Sequence, residues 1–273
     1  MTSREATAAG TRGFVPRVLA LPAVLGLALL TVPLAALVAR VAWSTLWDDV
    51  TSPEALSALG LSLSTGLIAT AACVVLGVPL ALAIARMNRR GAAVVRALVT
   101  IPLVLPPMVG GVSLLFLFGR NGWAGQLLGE AGIRLPFTTA AVVIAQVFVA
   151  LPFLVLALEG SLRATGVAYE QTAAALGAGR WTILRRVTLP LAAPGLVAGI
   201  VLCFARAIGE FGATALFAGN APGVTRTMPL AIYTAFNGAG VSPGTAVALS
   251  LLLLVTAIGV LVLVRAWRAE APR

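Results

Sequence analysis

Residues 170–190 read Glu-Gln-Thr-Ala-Ala-Ala-Leu-Gly-Ala-Gly-Arg-Trp-Thr-Ile-Leu-Arg-Arg-Val-Thr-Leu-Pro. This basic stretch lies between two runs apolar enough to cross a bilayer, so it must emerge from the membrane and face either a soluble partner or the membrane surface. It divides at Gly177-Ala178-Gly179. Residues 170–176 are mostly helix formers, and residues 180–189 form a second short helical candidate that Pro190 is expected to stop. Two short helices joined by a glycine hinge make a compact knob. Tyr169, Leu176, Trp181, Leu184 and Val187 would supply its apolar face, with arginines as the rim. The alternative is an amphipathic segment lying on the anionic inner leaflet.

The composition fits a membrane-embedded chain. Hydrophobic residues make up 60% and charged residues 10% of the 273, and the mean hydropathy is +1.03; soluble domains carry roughly 25% charged residues. All 19 basic residues are arginine, with no lysine and no histidine. A Walker-type phosphate loop needs a lysine, so the chain carries none, and nucleophile systems or zinc sites that depend on histidine are excluded. The net charge of +10 is explained by membrane topology rather than by nucleic-acid binding. Cys73 and Cys203 fall inside apolar runs and read as small packing residues.

Six spans are expected, at about residues 18–38, 59–84, 97–118, 138–158, 194–217 and 245–264, as one domain (18–264) between tails at 1–17 and 265–273. The first run is too long for a secretory core of about 7 to 15 residues and reads as a retained span. The alternating segments hold three, four, four and three arginines on one side and none, two and one on the other. That bias places both tails and the loop 159–190 in the cytoplasm. Pro106, Pro107, Gly110 and Gly111 mark a candidate helix break in the third span, either a packing kink or a hinge lining a pathway. Gly195 and Gly199 form a small-xxx-small pair, a candidate dimer face. Arg206 and Glu210 are four apart and would share a helix face. An unpaired arginine in mid-membrane costs about 2.5 to 3.5 kcal/mol, so the two are expected to pair, either to brace the fifth span or to line a translocation route.

The segment 170–190 resembles the EAA loop of the permease subunits of ABC importers: EAA, three residues, Gly, nine residues, Ile-x-Leu-Pro. Gly177 takes the glycine place, and Val187-Thr188-Leu189-Pro190 closes the pattern. Gln171, Thr172 and Ala173 stand in the EAA places, with Glu170 one position early. The resemblance implies an all-α, six-helix permease of the type I importer fold. It also implies that Glu170, Gln171, Ala173, Gly177, Arg180, Trp181, Val187, Leu189 and Pro190 belong to a coupling loop that docks on an ATP-hydrolysing subunit. The stretch Phe204-Ala205-Arg206-Ala207-Ile208-Gly209-Glu210-Phe211-Gly212-Ala213-Thr214 looks like the molybdate branch. So do Gly219-Asn220, Pro222-Gly223, Thr225, Thr227-Met228-Pro229 and Ala231-Ile232-Tyr233; sulfate permeases share it more loosely.

The resemblance further implies a non-enzymatic transport subunit in a prokaryotic cell membrane, importing an oxyanion: molybdate, with tungstate or sulfate and thiosulfate as alternatives. Its implied partners are two ATP-binding subunits carrying ATP and magnesium, an extracytoplasmic oxyanion-binding protein, and a second permease copy or a permease-sized heteropartner, within membrane lipid. No metal, cofactor or nucleic acid is expected on this chain itself. A secondary transporter driven by an ion gradient is the rival from another class; it would need titratable groups at mid-depth, where Glu210 is the one acidic candidate.

Overall fold

The computed structural model describes residues 17–238 and 243–270, and these residues form helices and connecting turns without strands. The expected tail at 1–17 lies almost wholly outside the described residues, as do residues 239–242 and 271–273. Backbone groups in hydrocarbon must be satisfied within the chain, which is why the apolar runs become helices. The helices are α1 (Ala20–Ala39), α2 (Leu46–Val50), α3 (Pro53–Arg86), α4 (Arg89–Val104), α5 (Pro107–Phe118), α6 (Trp123–Glu130) and α7 (Thr139–Thr165). They continue with α8 (Ala168–Ala175), α9 (Arg180–Ile183), α10 (Leu189–Ile208), α11 (Gly212–Phe217), α12 (Met228–Phe236) and α13 (Pro243–Glu270).

Within the described residues, α1, α3, α7 and the stretch Arg180–Ile208 are long and apolar enough to cross a membrane. At 34 residues, α3 is about 51 Å long, well beyond a hydrocarbon core of about 30 Å. It starts at Pro53, where Ser52 caps it by accepting the Ala55 N–H at 3.3 Å. Such a start suits proline, which has no N–H to satisfy.

The centre of the molecule is a three-helix contact among α3, α7 and α10. Ala69 and Cys73, Ala150 and Leu154, and Cys203 and Ala207 form one buried cluster there. Small residues let these helices approach closely. A Cβ on Gly195 would stand 2.2 Å from the Ser161 side chain, and one on Gly199 would stand 3.2 Å from the Leu154 Cα. This corrects the expectation of a dimer face at Gly195 and Gly199: α7 of the same chain occupies it.

The third span is not one helix. α4 and α5 meet at an angle of 109°, with the break at Leu105 and Pro106 and with Pro107 opening α5. Proline withdraws its donor and pushes the preceding residue out of helical geometry, which accounts for the position. Gly110 and Gly111, also expected at this break, take no part in it. Both are buried inside α5, where Gly111 meets the backbone of α11: an added Cβ would lie 2.7 Å from the Ala213 carbonyl oxygen.

Four further expectations need correction. The fifth span stops at Ile208 and restarts as α11, and the linker 119–137 contains α6. The loop 218–242 contains α12, and the last helix continues through Arg265 and Arg268 to Glu270. The α12 segment is secured by the Ser62 hydroxyl of α3, which accepts the Met228 N–H at 2.7 Å. Gly111→Ala is expected to cost about 1 to 3 kcal/mol through overpacking. A lower thermal midpoint of the detergent-solubilised protein checks this, with Gly60→Ala, which meets nothing within 4 Å, as the unaffected control.

Candidate functional site

The knob at residues 168–188 is built as two short helices with a left-handed turn between them. α8 ends at Ala175, and Gly177 follows with φ of +85°. The Gly177 N–H donates to the Ala174 carbonyl at 2.9 Å and the Ala178 N–H to the Ala173 carbonyl at 3.0 Å. This is the paired-bond helix stop that favours glycine, because an L side chain in the left-handed region costs about 1 to 2 kcal/mol. Tyr169, Leu176 and Trp181 are strongly exposed, Leu176 at 84%, and Gln171 and Arg180 are exposed beside them, while Ala173 is half-buried. Leu184, Val187 and Leu189 turn partly inward. The apolar face of the knob is therefore narrower than the sequence implied.

Pro190, the expected stop of the second helix, lies instead within a continuing one. α9 passes into a π-helical turn, Leu184–Thr188, which leads directly into α10 with Pro190 in its first turn. A widened turn accommodates a proline that can neither donate to nor fit within tight α-helical bonding. The second helix of the knob and the apolar span are consequently one continuous rod, Arg180–Ile208.

Glu170 points inward. Its Oε1 pairs with Arg86 Nη2 at the end of α3 and accepts the Thr188 hydroxyl at 2.8 Å. Nearby, Glu159 on α7 is 2% exposed and holds two arginines. Arg96 of α4 donates to both its oxygens, at 2.5 and 3.1 Å, and Arg163 donates at 2.6 Å. Neither inter-helix pair has a local sequence spacing that would reveal it; the available signal is that each acid of the loop 159–190 lies among many arginines.

At the other end of α10, Arg206 Nη2 lies 2.5 Å from Glu210 Oε2. The two do not share one continuous helix, because α10 ends at Ile208 and Glu210 lies in the break before α11. Glu210 is 1% exposed, and its other oxygen accepts the Ala213 N–H at 2.6 Å. The carboxylate thus neutralises Arg206 in the last turn of α10 and satisfies an orphan donor in the first turn of α11. The segment after the break is likewise knitted together. Asn220 Nδ2 donates to Thr234 at 2.9 Å, Arg226 donates to Asn220 Oδ1 at 3.0 Å, and the rings of Phe211 and Tyr233 meet at a tilt of 49° with centroids 5.0 Å apart.

The chain matches, over residues 73–266, the family described as binding-protein-dependent transport system inner membrane component. It is 51% identical over 243 residues to the molybdenum transport system permease protein ModB of Mycobacterium tuberculosis, covering 89% of this chain and 91% of that one. The sulfate transport system permease protein CysT of Salmonella typhimurium is 35% identical over 208 residues, 75% of each chain. Among solved structures, a bacterial ABC transporter involved in the import of the acidic polysaccharide alginate superposes with a TM-score of 0.72. Their identity is 16%, covering 94% of this chain and 96% of that chain. The expected all-helical, type I importer permease fold is the fold found.

Removing either partner of a buried pair strands the other charge. Arg206→Ala is therefore expected to lower the yield of folded protein in detergent, and Arg206→Met with Glu210→Gln to restore it, since Gln still accepts the Ala213 N–H. Restored folding with absent transport would mark Arg206 as a pathway residue; restored transport would mark it as a brace.

Proposed function

The chain belongs to the binding-protein-dependent transport system inner membrane components, and from that premise we propose that it is the permease subunit of an ATP-driven molybdate importer. It is a multi-pass protein of the cell membrane and a transport subunit. The observation that carries the substrate is the 51% identity to a molybdenum transport permease over nine-tenths of both chains. The sulfate permease shares less, 35% over three quarters of each. Tungstate, being close to molybdate in size and charge, is the natural competing ion.

In this reading the knob at 168–183 docks on an ATP-binding subunit in the cytoplasm, with Leu176 and Trp181 as its apolar tip. Tightly packed apolar anchors with a charged rim are how small protein contacts concentrate binding energy. ATP and its magnesium ion reside on that partner, consistent with a chain that has no lysine. Two permease copies surround one pathway, two ATP-binding subunits drive them, and an extracytoplasmic binding protein delivers the anion. Motion of the knob is passed to the membrane-spanning part through the rod Arg180–Ile208, which has no flexible linker between its outer and inner portions. The breaks at Pro106 and at 209–211 are the places where the helices can re-angle during alternating access, because they are the points at which helical hydrogen bonding is interrupted.

Arg206 does not offer a free positive charge, since Glu210 neutralises it. A divalent oxyanion is therefore not held tightly along the route, which suits release; selectivity falls to the binding protein. The complete transporter in sealed vesicles should accumulate labelled molybdate only with its binding protein outside and ATP at the ATPase face. Uptake by the permease alone under a proton gradient would overturn the assignment. Calorimetry of the binding protein with molybdate, tungstate and sulfate should rank sulfate last.

A further inference from the structure

Two left-handed glycines set α8 off from the helices before and after it. Gly166, with φ of +70°, follows α7, and Gly177, with φ of +85°, follows α8. A short helix suspended between two such points would swivel under load, and a push from a partner would be lost in that motion. What prevents it is the side chain of Glu170 in the first turn of α8. One carboxylate oxygen is held by Arg86, the last residue of α3, and by the Thr188 hydroxyl in the turn leading to α10. Its side chain is 18% exposed, in contrast to the adjacent Gln171, which faces outward.

We infer that Glu170 is a positioning residue for coupling: it locks α8 to α3 and α10 through Arg86 and Thr188, and it is not itself a contact to the ATP-binding subunit. The inference rests on the docking of the knob proposed above. It gives the lever two outputs. Displacement of α8 reaches α10 through the Thr188 hydroxyl, in the turn that leads into α10, and it reaches α3 through the charge-assisted bond to Arg86, which is stronger than a neutral hydrogen bond. The second path continues beyond α3. Glu159, buried under Arg96 and Arg163, ties the end of α7 to α4, and α4 is the outer limb of the helix pair bent at Pro106. Both acids of the loop 159–190 thus serve the inside of the permease, while the exposed apolar and arginine side chains serve its outside.

The test uses the complete transporter in vesicles, recording labelled molybdate uptake and ATP hydrolysis together, with co-purification of the ATP-binding subunit scored separately. Glu170→Gln, Arg86→Ala and Thr188→Val should each retain the ATP-binding subunit. Molybdate moved per ATP should fall about tenfold in the first two and less in the third, the range expected when a coupling network is altered. Exchanging the charges, Arg86→Glu with Glu170→Arg, should recover most of the loss, which a general folding defect would not allow. Loss of the ATP-binding subunit from Glu170→Gln, with Arg86→Ala and Thr188→Val transporting normally, would overturn the inference and place Glu170 at the subunit contact. Leu176→Asp separates the underlying reading: it should dislodge the ATP-binding subunit, and if it does not, the docking proposal fails and the clamp's role in coupling fails with it.

Discussion

A carboxylate withdrawn from water, whether by protein or by lipid, must be paired, and the structure is governed by that constraint. Glu159, Glu170 and Glu210 are each withdrawn from solvent, and each is paired with arginine. Their positions mark the mechanical joints: the inner end of α7, the first turn of α8 and the gap between α10 and α11. In each case the ion pair spans elements that the backbone alone would leave loosely joined. A buried pair contributes little net stability compared with apolar packing, but it is costly to break on one side only. Such pairs therefore define which elements stay together. Gln146 departs from the pattern, being fully buried with neither amide atom hydrogen-bonded, as are the hydroxyls of Thr214 and Thr227.

Between these joints, stiffness comes from close approach. Gly195 lies against α7 and Gly111 against α11 at distances that no side chain would permit, and Gly199 lies against α7 more tightly than most side chains allow. Van der Waals contact at that range replaces the hydrophobic driving force that lipid cannot supply. The resulting unit, α3 with α7 and α10, is flanked by elements that end in breaks: α4 with α5 at Pro106, and α10 with α11 at 209–211. A closely packed centre whose neighbours end in helix breaks suits the alternating access proposed above, and the stretch Arg180–Ile208 joins the knob to that centre.

Much of this was legible from residue order. Apolar length marked α3, α7 and α10, and the proline run located a break. Gly177-Ala178-Gly179 marked where the two short helices divide, and the turn found there is closed by hydrogen bonds from Gly177 and Ala178. The misreadings share one cause. Pro190 signals a stop, yet a π-helical turn carries the chain through it; Gly110 and Gly111 signal weakness, yet their use is close packing against Phe148 and the backbone of α11. In each, local propensity was overridden by what lies across the contact. The same holds for Arg206 and Glu210, whose spacing suggested one helix face and whose actual bond bridges a helix end.

Composition, hydropathy and arginine distribution by themselves determined an all-helical membrane chain with an outward-facing basic knob, because burying apolar surface in lipid and satisfying backbone groups leave few other solutions. The absence of lysine and histidine likewise excluded a lysine-bearing phosphate loop and histidine chemistry from these 273 residues. Only the tertiary structure decided which charges meet. Arg86 and Glu170 are 84 positions apart and Arg96 and Glu159 are 63 apart, and no periodicity links them. Their pairing depends on α3 and α4 being folded against α7, so it becomes visible only when the packing has been completed.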